Sequence, residues 1–152
     1  MIFFSFICVN LFYMKKLVIF LLFSIFFGCS QQEDYIPIVS VNEQIDLNLP
    51  KFIQLQTAGE TMFIEGGVKG IIIHNSGASD YKAYDRSCSY EPSLECARID
   101  YINSTIALCG CCSSAFLLNQ NGAIANGPTF RDLREYACKL DNNTKILYIS
   151  NY

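Results

Sequence analysis

The sequence predicts an all-β domain, either a small sandwich or a barrel. Short runs of β-branched and aromatic residues recur along the chain, and turn signals rich in glycine, proline and asparagine separate them. Long helical periodicity is missing, and residues 131–138 are the single weak helical candidate. About ten short strands with frequent turns are typical of all-β sandwiches and barrels.

Apolar or alternating runs predict the strands of the first half of the domain. Pro37 has no N–H to donate, so the run 35–41 suits a sheet edge. The residues 66–70, Gly-Gly-Val-Lys-Gly, predict a turn and not a phosphate loop, since they lack the P-loop spacing and precede a strand. The strands predicted here are 35–41, 44–49, 52–55, 61–64, 71–73 and 82–85.

A predicted hairpin brings the chain to its most informative stretch. The runs 98–102 and 105–108 flank Asn103-Ser104 and end at Cys109. Asn121-Gly122 is a strong hairpin signal, and Gly127-Pro128 predicts another turn. The remaining predicted strands are 116–118 and 145–149.

An export signal precedes the domain. Lys15 and Lys16 form a basic start, and an apolar run of about 16 Å of helix follows, too short for the ~30 Å hydrocarbon core of a bilayer. We expect residues 1–28 to be a signal peptide with its true start at Met14. Gly28-Cys29 resembles the lipobox of bacterial lipoproteins, which implies cleavage before Cys29 and lipid attachment to it. An ordinary signal peptide or an uncleaved anchor is the alternative.

The lipobox resemblance implies a location and a domain plan. Residues 29–34 would be a lipidated polar tether, and residues 35–152 the folded domain. The protein would lie in the bacterial cell envelope, anchored by lipid on the outer or cytoplasmic membrane and facing the periplasm or the exterior.

Charge and composition exclude several classes of function. The formal net charge is −3 and no basic patch stands out, so nucleic acid is not an expected partner. The single histidine, His74, leaves little room for acid–base catalysis, and the sequence identifies no small-molecule substrate. The composition therefore favours an accessory protein over a catalyst.

Cysteines dominate the candidate functional residues. Five of the eight cysteines fall within residues 88–112. Cys109 and Cys112, which have two residues between them, can form a knuckle that aims both sulfurs at one metal ion. Exported cysteines also meet oxidising conditions in which disulfides persist, and the sequence alone leaves their pairing open. Cys138 is either a buried thiol or a disulfide partner.

One longer pattern begins with Cys109-x-x-Cys112-Ser-Ser-Ala-Phe and continues through Gly122, Gly127-Pro128, Leu133 and Tyr136. This pattern resembles the second half of a Rieske domain. The segment 83–90, Ala-Tyr-Asp-Arg-Ser-Cys-Ser-Tyr, is similar to the first ligand loop of that family. The resemblance implies a Rieske-like β-sandwich whose cysteine-rich two-loop subdomain grips a 2Fe–2S cluster. It also implies one-electron transfer with a redox partner protein.

The chain departs from the family at the two ligand histidines. Tyr90 and Cys112 occupy those positions, so a two-cysteine, two-histidine cluster cannot be built. The family also implies a disulfide between the loops, with Cys111 as one partner and Cys96 as the candidate for the other. Three disulfides, or a non-redox binding or structural lipoprotein held by zinc or disulfides, are further alternatives. The competing four-sulfur site, for a 2Fe–2S cluster or zinc, comprises Cys88, Cys96, Cys109 and Cys112.

Overall fold

The computed structural model describes residues 35–152, which fold as an all-β domain, as the sequence predicts. The expected signal peptide 1–28, the lipidated Cys29 and the tether 29–34 lie outside the described residues. Among residues 35–152, no helix is long and apolar enough to cross a bilayer. The strands are β1 Asn42–Asp46, β2 Thr61–Ile64, β3 Ile71–Gly77, β4 Asp80–Asp85, β5 Ile99–Asn103, β6 Ile106–Cys109, β7 Ala115–Leu117, β8 Ala123–Asn126, β9 Glu135–Asp141 and β10 Ile146–Ser150.

In residues 35–152, ten antiparallel strands form two sheets. The larger has six strands in the order β1-β10-β9-β4-β3-β2, and the smaller has four in the order β5-β6-β7-β8. Along the chain, the whole smaller sheet is inserted between β4 and β9, which are neighbours in the larger sheet. The insertion therefore leaves the larger sheet at the end of β4, immediately before Cys88.

Strand β3 is buried on both faces, which explains its Ile-Ile-Ile run. Ile71 and Ile73 belong to one apolar cluster, whereas Ile72 between them belongs to a second. The first cluster is built from the larger sheet. The second also contains Phe116 and Ile99 of the smaller sheet, together with the thiols of the candidate site. Successive side chains of a strand point to opposite faces, so one strand supports both cores.

Three predicted elements are wrong. Residues 35–41 form no strand, because side chains bind their backbone instead: Asn151 accepts from the Val41 N–H, and Arg134 donates to the Ile36 carbonyl. Residues 52–55 were expected as a strand, but Ile53–Gln56 is a 3₁₀ helix that buries Leu55. The weak helical candidate 131–138 is largely strand β9, which pairs with both β10 and β4.

Candidate metal centre

Two loops bring three free thiols together. Cys88 lies in the loop after β4, Cys109 ends β6, and Cys112 lies in the loop between β6 and β7. Their three sulfur atoms all lie within 4.8 Å of one another. The Cys88 and Cys112 sulfurs are 3.7 Å apart. No other group of three or more histidine, cysteine or acidic ligands forms such a cluster in residues 35–152.

Backbone hydrogen bonds fix the shape of both loops. The Cys88 N–H donates to the Ala97 carbonyl at 3.0 Å, which closes the first loop. The Cys109 N–H donates to the Ser114 carbonyl at 3.0 Å, which closes the second. The Gly110 N–H donates to the Arg98 carbonyl, also at 3.0 Å, and ties the two loops to each other. The thiols are thus held by backbone bonds that do not involve their sulfurs.

A disulfide joins the same loops. Cys96 of the first loop is bonded to Cys111 of the second, with the Cα atoms 5.2 Å apart. The pairing implied by the family resemblance is therefore the one the structure contains. The place given to Cys96 in a four-sulfur metal site is a correction: its sulfur is bonded to Cys111 and is not a free thiolate.

The three thiols differ in exposure and acidity. Cys88 is fully buried, Cys109 is nearly so, and Cys112 is partly exposed. Burial, together with the neighbouring Cys109, raises the pKa of the Cys88 thiol far above its ordinary value. Burial also acts to raise the pKa of Cys112. Hydrogen bonds involving Ser114, Cys109 and Cys88 outweigh that effect, so the pKa of Cys112 is lowered.

Hydroxyl groups that the sequence analysis did not single out support the thiols. The Cys112 thiol lies 3.2 Å from the Ser114 Oγ, and that buried oxygen also accepts from the Thr129 N–H at 3.3 Å. The Thr129 hydroxyl lies 3.0 Å from the Ser89 Oγ in the other cysteine loop. The repeated serines beside the cysteines were the signal for this network, but their pairing requires the fold.

The remaining described candidates, His74, Tyr90 and Cys138, are not members of the thiol group. His74 is buried in β3, where its Nδ1 lies 2.9 Å from the Thr61 Oγ1, and it is not a member of the thiol group. Tyr90 packs against the apolar cluster that contains Cys88. A Rieske cluster with two histidine ligands therefore does not fit these residues. Cys138 is a free thiol in β9, and burial raises its pKa to about 12.

The fold and site define a small two-sheet β protein in which two disulfide-linked loops gather three thiols. No family model matches the chain. No curated protein matches it either. Among solved structures it is similar to the plasma-membrane Rieske protein of the cyanobacterium Synechocystis PCC 6803, with 18% identity and a TM-score of 0.48 over 76% of this chain and 100% of that one.

Proposed function

We propose that this protein is a metal-binding domain of the bacterial cell envelope, and that Cys88, Cys109 and Cys112 hold a single soft metal ion. The observation that carries the proposal is the mutual approach of the three sulfurs, all within 4.8 Å of one another. Soft thiolate ligands favour ions such as zinc and monovalent copper.

The sulfur spacing supports one ion more than a two-iron cluster. Two thiolates on one tetrahedral zinc ion, each about 2.3 Å from the metal, are about 3.8 Å apart. The Cys88 and Cys112 sulfurs are 3.7 Å apart. Ligands to the two irons of a 2Fe–2S cluster are further apart, because two bridging sulfides separate the irons. Three thiolates also leave a fourth position for water or a partner's ligand.

Electron transfer through a 2Fe–2S cluster, with a redox partner protein, is the second candidate. The observation that favours it is the arrangement of Cys88 on one loop and Cys109 and Cys112 on the other, as the Rieske resemblance implies. An all-cysteine cluster needs four thiolates. Among residues 35–152, only Cys138 is free besides the three, and it packs against the other apolar cluster.

The location and the anchor are part of the proposal. They are supported by the basic start, the apolar run and the Gly28-Cys29 junction, which resembles a lipobox. A Cys96–Cys111 disulfide is compatible with an oxidising compartment. The domain would then be held at a membrane by lipid on Cys29, with residues 29–34 as its tether.

The test is the metal content and absorption spectrum of the full chain, expressed with its own leader and recovered from membranes without air. About one zinc or copper ion per chain supports the mononuclear site. About two irons with visible bands supports the electron carrier. A protein without metal overturns both the mononuclear site and the electron carrier if two controls hold. Alkylation must find Cys88, Cys109 and Cys112 reduced, and added zinc must not bind. The domain would then be a structural or binding module held by its disulfide.

A further inference from the structure

A cationic cavity lies beside the cysteine loops. Its volume is about 690 Å³, and the glycine-rich turn at residues 66–70 forms much of its wall. Four of the eleven lysine and arginine residues of the chain line it, although the net charge is −3. Among the described residues, Glu65 is the one acidic residue in the lining. The four cationic residues are Lys51, Lys69, Arg86 and Arg98.

Two of these cations, Arg86 and Lys69, are held in place by other groups. The Arg86 guanidinium stacks on the Phe63 ring at 4.0 Å, and its Nε donates to the Ile99 carbonyl at 3.1 Å. The Lys69 ammonium donates to the carbonyls of Leu94 and Ala97 in the first cysteine loop. Cations that are ordered before a ligand arrives lose little conformational entropy on binding.

Gly70 is required for this arrangement. It has a φ of +105°, and a Cβ at this position would lie 2.8 Å from the Arg86 Cδ. The glycine therefore allows the turn to lie against the arginine stem. In the same turn, the Val68 N–H donates a hydrogen bond to the buried Asp85 side chain, so that amide is not available to a ligand in the cavity.

Positive charge exceeds negative charge at this position. Arg86 and Arg98 share one acceptor, the Oδ1 of Asp100, at 3.0 and 2.7 Å. The Lys69 ammonium donates to two neutral carbonyl groups. A second anion would complete the neutralisation of these groups.

We infer that this cavity binds a multivalent oxyanion, of the phosphate or polycarboxylate type, through Arg98, Arg86, Lys69 and Lys51. Guanidinium groups match the planar oxygens of such anions. The glycine-rich turn contributes as a wall and a support for Arg86, not as a P-loop. Arg86 is two residues from Cys88, so the bound anion would lie next to the cysteine loops.

The experiment is a titration of the full-length protein, as purified, with inorganic phosphate, and separately with citrate, at constant ionic strength and mildly alkaline pH. Amide chemical shifts of the turn 66–70 report binding. Saturable shifts are expected there. The double variant Arg98→Gln with Lys51→Gln should raise the dissociation constant at least about tenfold. Preference for phosphate or for citrate identifies the type of anion.

Lys139→Gln is the control for charge removal: it removes one positive charge, half of what the double variant loses, at an exposed position on β9. Shifts that do not saturate, or an equal loss of affinity in Lys139→Gln, would overturn the inference. Metal content is measured in the same samples. If it is unchanged while phosphate binding is lost, the anion site is distinct from the proposed metal function.

Discussion

The Sγ atoms of Cys88 and Cys112 lie 3.7 Å apart, although the two residues belong to different loops and are separated by 24 positions. Cys111, the chain neighbour of Cys112, is bonded instead to Cys96. Of these adjacent cysteines, Cys111 links the loops covalently, whereas Cys112 completes the thiol group. This division leads to distinct expectations for each cysteine.

Replacing a thiol of the group should abolish tight metal binding. Cys88→Ser removes a ligand from the buried side of the site, and we expect the zinc affinity to fall at least about 100-fold, beyond the 10–100-fold cost of an outer-shell change. Competition with a chromophoric chelator measures this loss. Cys138→Ser is the control, because its thiol lies outside the group. Equal losses in both variants would refute the ligand assignment.

Removing the disulfide should reduce stability but spare the metal. The Cys96–Cys111 bond closes a loop of 15 residues, for which the chain-entropy model gives about 3 kcal/mol. The double variant Cys96→Ser with Cys111→Ser should therefore lose about that much free energy of unfolding in urea. Its metal stoichiometry should remain that of the unmodified domain. A loss of metal would contradict this expectation and show that metal binding depends on the link between the loops.

The Ser114 hydroxyl should tune the site without being a ligand. It lies 3.2 Å from the Cys112 sulfur and is buried. Ser114→Ala should weaken zinc binding about tenfold, as expected for the loss of an outer-shell hydrogen bond, with the stoichiometry unchanged. Ser113→Ala, at the exposed neighbouring position, should leave the affinity unchanged. If the two variants behave alike, the Ser114 contact does not contribute to binding.

A buried carboxylate holds the start of the first cysteine loop. Asp85 is fully buried and accepts hydrogen bonds from the Tyr136 hydroxyl at 2.6 Å, the Ser87 N–H at 2.7 Å and the Val68 N–H at 2.6 Å. Tyr136→Phe removes one donor from this group and should cost about 1.5–3 kcal/mol of unfolding free energy. Tyr148→Phe, at a more exposed position, should cost far less in the same urea titration.

The sequence predicted the all-β class because strand and turn signals depend on local periodicity. Thr61–Ile64 was predicted with its observed bounds, and the hairpin that delivers Cys109 was placed within one or two residues. The helical prediction for residues 131–138 is wrong because β9 is stabilised by pairing with β10 and β4, which no local pattern records. Tertiary context overrides propensity at such positions.

The site was predictable in its members but not in its connections. The clustering of cysteines in residues 88–112 identified the two loops. Sequence spacing does not determine which of Cys96, Cys111 and Cys112 joins the thiol group, because this depends on where each sulfur lies in the folded loops. The Ser114–Thr129–Ser89 network is likewise distributed over three loops.

The domain should lose stability above about pH 10 through Tyr84 and Tyr136. Burial, with nearby Glu135 for Tyr84 and the hydrogen bond to Asp85 for Tyr136, raises the pKa of both phenols well above their ordinary value. Their contribution is complete below the unfolded-state pKa of about 10. Above it, the unfolded chain releases these protons while the folded domain retains them, so the free energy of unfolding falls as pH rises.

Urea unfolding at several values from about pH 9 to pH 11, with phenolate absorption recorded in parallel, measures this dependence. Each phenol should contribute up to about 1.4 kcal/mol per pH unit above its unfolded pKa. Tyr136→Phe and Tyr84→Phe should each flatten the decline relative to the unmodified domain, whereas Tyr148→Phe should not. If the Tyr84 and Tyr136 variants decline as steeply as the control, the two phenols do not control the alkaline limit of stability.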